Sequence, residues 1–393
     1  MEEIILNKVG IITSSYASNG TFGCNYGAAL QGYALVKQLR LMNYDAYDIN
    51  YNSRYVHNPQ QYSFIKGIAS RFKLLFNPRI VKNKLISLRN RRNWNTLSSS
   101  FRRFIAENEL TFDDGAFYTF DELKILSRDF YAFITGSDVV WNPNLHKGHN
   151  DEGFFLDFAA DGVKRIAYAP STGITSFPDT AKGDLGDFLR KFDALSIREQ
   201  SGADLIRNLT GIDLDVVLDP TLLLPPEEYD EIIRLPDDIP PEYILVYKFG
   251  EIPHTQEQID KLQKELDLPV ICIPAGKYGK RFSPRYDVGP GGFVGLIRNA
   301  RIVMTDSFHC SVFCLIYHTP FYTFFRTMPK PGQDINSRMS NLLRMVHLDN
   351  RMIAPGDEID FSNMNEIDFE SADRIIDSMR KESCLFLKNA LEA

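Results

Sequence analysis

Short apolar runs bounded by polar or glycine-containing turns alternate with stretches whose apolar residues recur at helical spacing. This pattern predicts a repeating β–α chain. Lys8–Ser15 (KVGIITSS) reads as a first strand, followed by the glycine-rich loop GTFGCNYG. In AALQGYALVKQLR, residues Ala28, Leu30, Tyr33, Ala34, Leu35 and Leu39 form one helical face, and NYDAYDINY returns as a strand. The alternation resumes at YAFITGSD (131–138), RIAYAPST (165–172), a helix near 180–191, ALSIRE (194–199), a helix over 201–210 and LDVVLDPTLLL (214–224). A second series runs YILVYKF, helix 255–266, PVICIP, helix 291–299, RIVMTD, helix 307–318, FYTFF and helix 338–347. Between the two series, PPEEYDEIIRLPDDIPPEY (225–243) carries Pro225, Pro226, Pro236, Pro240 and Pro241, the composition of a linker with one short helix.

The expected fold class is therefore α/β, with two doubly wound Rossmann-like domains. Residues 1–224 form the first and 243–393, with the C-terminal helices, the second; 225–242 is the Pro-rich linker. A basic helical insertion of the first domain is expected over about 52–128. Parallel sheets of this kind place a functional cleft at the C-terminal ends of their strands, between the two halves.

At 393 residues, two domains suit the length. Five scattered cysteines (24, 272, 310, 314 and 384) make no CxxC pair and no disulfide framework. No apolar run reaches the length of a membrane span, and MEEIILNKVGII lacks the features of a secretory leader, so a cytoplasmic chain is expected. Net charge is −7, but the segment from Lys66 to Arg103 holds eleven Lys or Arg and no acid, leaving −18 on the rest. Apolar residues such as Phe72, Leu75, Leu85 and Trp94 interleave with these cations. One reading is a surface for an anionic membrane or a phosphate-bearing lipid; the other is a solvated basic helix pair capping a domain. Nucleic acid is not expected, because the chain is acidic overall and carries no recognition motif.

Four polar clusters fall at predicted strand ends. The first loop supplies Asn25, Tyr26 and Gln31 beside Gly20, Gly23 and Gly27. It is not GxGxxG, and its glycines either admit an anion to backbone N–H groups or simply make a turn. TGSDVVWN brings Ser137, Asp138, Trp141 and Asn142. A carboxylate followed by an indole suits a sugar, although a helix cap and a core tryptophan account for the same letters. Arg198 in SIREQSG suits a phosphate or carboxylate, or an ion pair with Glu199 or Asp193. In RIVMTDSFHCSVF, His309 falls in the first turn of a helix starting near Asp306 or Ser307. There, free N–H groups favour an anion and disfavour an imidazolium, and an arriving anion would restore the proton. Core packing, metal ligation and catalysis are the three readings of His309. Cys310 and Cys314 are four apart, but among Val, Phe and Leu they read as buried thiols, and no metal is expected. His146 and His149 near Asp151 are minor candidates for substrate contact.

Taken together, NYGAALQGYAL, ITGSDVVWNP, RIAYAPSTG, LSIREQSG, VVLDPTLLL and MTDSFHCSVF, in that order over roughly residues 8–347, resemble the polysaccharide pyruvyl transferase family. The resemblance implies a fold similar to the GT-B glycosyltransferases and transfer of a pyruvyl group from phosphoenolpyruvate to a sugar diol, giving a cyclic ketal and phosphate. The histidine of the family's RLHG-like motif falls on His309, its leucine on Phe308 and its glycine on Cys310. Its arginine falls on Ser307, so one donor-binding cation is missing there. On this resemblance His309 and Asp138 are catalytic candidates. Arg198, Ser307, Asp306, Arg338 and Lys248 are donor candidates, and Asn25, Tyr26, Gln31, Ser137 and Trp141 acceptor candidates. The first domain is the acceptor side and the second the donor side. No cofactor is implied beyond phosphoenolpyruvate as co-substrate. The implied acceptor is a galactose- or mannose-type sugar in a polyprenyl-linked glycan, with the 66–103 segment docking peripherally at the inner face of the plasma membrane. A GT-B glycosyltransferase using a nucleotide sugar and a non-catalytic glycan-binding protein are the competing expectations.

Overall fold

A computed structural model describes residues 6–14, 24–53, 55, 78–250, 253–275, 282–326 and 336–393, with backbone alone for 78–90, 253 and 254. Gly20, Gly23 and the Lys66–Lys73 part of the basic segment lie outside the described residues.

The first domain is built on β1 (Lys8–Ile12), β2 (Asp45–Asp48), β5 (Ala132–Thr135), β6 (Lys164–Ala167), β7 (Ala194–Ile197) and β8 (Asp215–Val216), with β3 (Asn50–Tyr51) and β4 (Phe117–Tyr118) forming a separate parallel pair. The large sheet is parallel throughout, in the order β2-β1-β5-β6-β7-β8. The second domain repeats the design with β9 (Ile244–Tyr247), β10 (Val270–Cys272), β11 (Ile302–Thr305), β12 (Phe321–Phe324) and β13 (Met352–Ile353), parallel in the order β10-β9-β11-β12-β13. Central strands β5, β9, β11 and β12 are buried at every position, as helices on both sheet faces require. The order reverses between β1 and β5 in one sheet and between β9 and β11 in the other, and loops leaving these strands open a crevice. This is the expected α/β architecture of two Rossmann-like halves, similar to the GT-B fold.

Helix α1 (Tyr26–Leu41) holds the halves together. Asn25 caps it, its side chain accepting from the Ala28 amide, and every residue from Tyr26 to Val36 is buried. A helix apolar on all sides is buried on all sides. Tyr26 stacks on Phe293 of the second domain at 4.6 Å and donates its hydroxyl to the Val288 carbonyl at 2.8 Å. The linker is fastened rather than loose. It crosses helix α8 (Pro290–Asn299) where Gly291, Gly292 and Gly295 leave no side chains, and a Cβ on Gly291 would stand 1.8 Å from the Ile232 carbonyl oxygen.

Helix α2 (Pro78–Glu107) is the basic insertion. It buries Leu97, Phe101 and Phe104, and Trp94 meets Tyr286 of the second domain at 5.4 Å. Two expectations need correction. LDVVLDPTLLL is not one long strand: β8 stops at Val216, and Asp219 caps a tight turn over Pro220–Leu222 by accepting from the Thr221 amide. The last helix, α11 (Phe369–Glu392), does not stay with the second domain. It returns to the first, where the Leu391 carbonyl accepts from Tyr131 and Lys164, and Ser383 accepts from the Leu218 amide.

One buried group makes the fold sensitive to pH. Asp48, at the end of β2, is 1% exposed and its Oδ1 has no hydrogen-bond partner among the described residues. Burial pushes its carboxyl up to about 8 from an ordinary 3.8. The folded state then holds a proton that the unfolded chain releases, so stability falls as pH rises from about 4 to 8. Asp48→Asn should remove that slope, gaining a few kcal/mol at pH 8, on a scale of roughly 1.4 kcal/mol per pH unit, and almost nothing at pH 4. Urea unfolding at the two pH values reads this directly.

Candidate active site

The crevice is organised around Asp219, which is 2% exposed. One of its oxygens, Oδ2, accepts from Arg198 Nη1 at 2.7 Å and from Ser137 Oγ at 2.9 Å, and lies 3.5 Å from His309 Nε2. The other accepts from the Thr221 amide at 3.0 Å and the Thr221 hydroxyl at 2.6 Å. Burial by itself would raise this carboxyl, but the charges of His309 and Arg198 and the hydrogen bonds hold it far below the usual carboxylate range. Asp219 is thus ionised. Ser137, Arg198 and Thr221 come from the first domain; His309 comes from the second.

His309 sits in the first turn of α9 (Phe308–Ile316), whose N-cap is Ser307. Its ring lies flat against Gly27 of α1: a Cβ there would come within 2.1 Å of Nδ1. Only glycine lets helix and imidazole approach so closely. Phe308 meets the His309 ring edge-to-face at 5.2 Å, and the Arg198 guanidinium lies 4.8 Å from the Phe308 ring centre. Arg198 is 8% exposed, yet its Nε and Nη2 have no hydrogen-bond partner among the described residues. Its neighbour Glu199, 3.7 Å from Nε, is held by the Ser171 hydroxyl at 2.8 Å and the Thr172 amide at 3.1 Å. Asp138 takes a left-handed backbone, φ 74°, and stands 3.7 Å from Arg338 Nη1. Burial, and then the neighbouring Arg198 charge, pull Arg338 down to about 10, and its Nε has no hydrogen-bond partner among the described residues. Guanidiniums buried with unspent donors are prepared for an anion.

Two cavities meet here. A polar one of about 190 Å³ is lined by Asn25, Asp138, Ser307, His309, Arg326 and Arg338, with Asp306 and Asn336. A second, of about 330 Å³, shares Phe308 and Arg338, reaches Arg198 and Asp219, and is walled by Leu218, Leu342, Met345 and Met379.

Of the sequence candidates, His309, Asp138, Asn25, Ser307, Asp306 and Arg338 converge on the polar cavity, and Arg198 and Ser137 adjoin it through Asp219. Asp306 contributes scaffolding, its carboxylate accepting from the Phe249 and Gly250 amides at 2.8 and 2.7 Å. Four expectations are corrected. Trp141 is 1% exposed, stacks on Phe155 and donates to the Phe154 carbonyl inside the first domain, so it faces no sugar. Tyr26 is an interdomain strut. Gln31 is fully buried and spends its amide on Thr13 Oγ1 and the Ala28 carbonyl. Lys248 is buried past the end of β9 and lines neither cavity. His146 likewise belongs to a buried cluster, 3.7 Å from Asp151, which also holds Tyr51 and Ser53. Cys310 and Cys314 are core thiols, with burial holding Cys314 well above its ordinary range. Sequence reasoning missed Asp219 and Arg326, and it placed Gly27 in the first loop without its contact to His309. Only Asp219 left a signal, as the single charge in the apolar run VVLDPTLLL.

Fold and site together define a two-domain α/β architecture whose crevice is lined by residues from both halves. Residues 25–324 match the family model described as Polysaccharide pyruvyl transferase, and the chain belongs to that family, which gives it a glycan-modifying role. No curated protein matches the chain. Among solved structures, it is similar to the UDP-GlcNAc 2-epimerase from Methanocaldococcus jannaschii, at 12% identity and TM-score 0.45, covering 95% of this chain and 92% of that one. It is similar to the UDP-N-acetylglucosamine 2-epimerase from Rickettsia bellii at 11% identity and TM-score 0.44, covering 99% and 98%. The E. coli heptosyltransferase WaaC with ADP-2-deoxy-2-fluoro heptose follows at 9% identity and TM-score 0.36, covering 94% and 99%.

The contact between Gly27 and His309 yields a test. Gly27→Ala should lower unfolding free energy by about 1–3 kcal/mol, because the new methyl collides with the imidazole. In a His309→Ala background, where that space is empty, Gly27→Ala should cost much less, a coupling measurable by urea unfolding of the four members of the cycle.

Proposed function

We propose that the protein transfers the pyruvyl group of phosphoenolpyruvate to two hydroxyls of one sugar in a glycan, forming a cyclic ketal. The observation that carries this reading is the imidazole of His309 beside the ionised Asp219, next to the unspent donors of Arg198 and Arg338. The reaction needs a proton for carbon, a base for hydroxyls, and cations for a carboxylate and a phosphate. His309 gives its proton to the methylene carbon, making C2 electrophilic, while Asp219 stabilises the imidazolium beforehand and fixes its orientation. The first hydroxyl oxygen bonds to C2, the C2–O bond to phosphate breaks, and the second hydroxyl closes the ketal. Of the two hydroxyl protons, one returns to His309 and the other leaves with phosphate. Asp138 and Asn25, on the polar cavity, orient the diol.

Incubation with phosphoenolpyruvate and polyprenyl-linked galactose- or mannose-type glycans should release phosphate and add a ketal-bound pyruvyl mass to the glycan. His309→Gln should slow this by about 100-fold or more. Release of nucleoside diphosphate from nucleotide sugars, with no use of phosphoenolpyruvate, would point to glycosyl transfer instead.

A lipid-linked acceptor also gives α2 a role. Arg91, Arg92, Arg102 and Arg103 are exposed on it, and among the described residues no helix is long and apolar enough to cross a membrane. The helix therefore docks on an anionic bilayer face by charge, at about 1 kcal/mol per cation near the surface. Binding to phosphatidylglycerol vesicles should weaken with salt and with charge removal at these four positions. Sedimentation that ignores both would leave α2 a domain cap.

A further inference from the structure

We infer that Arg326 is the cation that holds the donor's phosphate as it leaves, an assignment that rests on the pyruvyl-transfer reading above. Arg326 follows β12, next to the β11 end that leads into Ser307 and His309. Its placement is unusually complete. The guanidinium lies 4.3 Å from the ring centre of Phe249, and Nε donates to the Asp306 carbonyl at 2.8 Å. The backbone amide and carbonyl of Arg326 are both tied to the Asn336 side chain, at 2.9 and 3.0 Å. The nearest acid is Asp306, 3.5 Å from Nε, whose two oxygens already receive the Phe249 and Gly250 amides. All these contacts fall on Nε, the ring face or the backbone. The two Nη groups have no partner among the described residues, and the residue lines the polar cavity with His309. A rigid fork with both prongs unspent matches the geometry of a phosphate.

Exposure decides which donor group goes where. The Arg326 side chain is 21% exposed, that of Arg338 15% and that of Arg198 only 3%. The carboxylate stays with the ketal throughout, so the deeply buried Arg198, with Arg338 beside it, can hold it to the end of the reaction. Phosphate must depart, and a cation at the cleft mouth receives it on the way out. When the C2–O bond breaks, its electron pair goes to the bridging oxygen, and the charge there is met by the Arg326 fork. Ser307 lines the same cavity and leaves room for that guanidinium to come from the neighbouring strand.

Arg326→Ala and Arg326→Lys, each first checked for native unfolding, would be assayed with phosphoenolpyruvate. Inorganic phosphate and pyruvate serve as inhibitors, and pyruvate presents a carboxylate without a phosphate. In Arg326→Ala, the phosphate inhibition constant should rise at least about 10-fold, the scale of one charge-assisted contact, and the pyruvate constant should stay within about 2-fold. The lysine variant should fall between, and Ser307→Arg added to Arg326→Ala should restore part of the phosphate inhibition. Equal losses for both inhibitors, or unchanged phosphate inhibition, would overturn the assignment. If the alanine variant does not fold, the lysine variant carries the same comparison. Calorimetry on the unmodified protein separates the two layers. Absence of any phosphoenolpyruvate binding would remove the donor reading and Arg326's role together, whereas turnover with Arg326-independent phosphate inhibition removes the latter alone.

Discussion

A buried carboxylate is tolerable only when its surroundings replace the water it has lost, and Asp219 is the point where this protein meets that demand. Ser137, Arg198 and Thr221 satisfy it from within the first domain, but one approach to Oδ2 is occupied by His309 of the second. Removing one member of such a set typically costs about 3–5 kcal/mol, because a charge is stranded. The relative position of the two halves is therefore part of the electrostatics of the site. The rest of the molecule conforms to it. Helix α1 is buried on every side from Tyr26 to Val36, Gly27 has no side chain, and the linker lies in a glycine track on α8.

Much of this architecture was legible in the sequence, because parallel strands buried on both faces read as apolar runs and their crossover helices repeat at helical spacing. Apart from LDVVLDPTLLL, the strands and helices named from the sequence are found from KVGIITSS to the helix starting at Ser337. The site was legible to the level of strand ends: His309, Asp138, Arg198 and Asn25 all lie where the alternation placed them. What the letters do not encode is which side chain beyond a strand end turns toward the crevice. TGSDVVWN contributes Asp138 to the cleft and sends Trp141 into the core, and both are three residues or fewer from Ser137 or Asp138 along the same turn. Tyr26 and Gln31 misled for a related reason. Polar atoms on a fully buried helix need internal partners, and theirs are a carbonyl of the other domain and Thr13.

Arg326, and the contact that Gly27 makes, lay beyond sequence reasoning. A glycine in a helix has many uses, and its contact with an imidazole almost three hundred residues away is visible only in three dimensions. Arg326 follows an ordinary apolar strand, and its importance comes from the neighbour that strand pairs with. The resemblance by motif directs attention to position 307. The parallel pairing of β11 and β12 shows that the cation and the serine are adjacent in space though nineteen residues apart in the chain.

The return of α11 to the first domain bears on how the protein comes into being. Tyr131, Lys164 and the Leu218 amide belong to the first sheet and its loops, yet their partners Leu391 and Ser383 lie beyond the whole second sheet in the chain. The first domain is thus completed by a helix that the chain reaches only after the whole second sheet. Its closure depends on contacts between segments far apart in sequence, the kind of contact that slows folding.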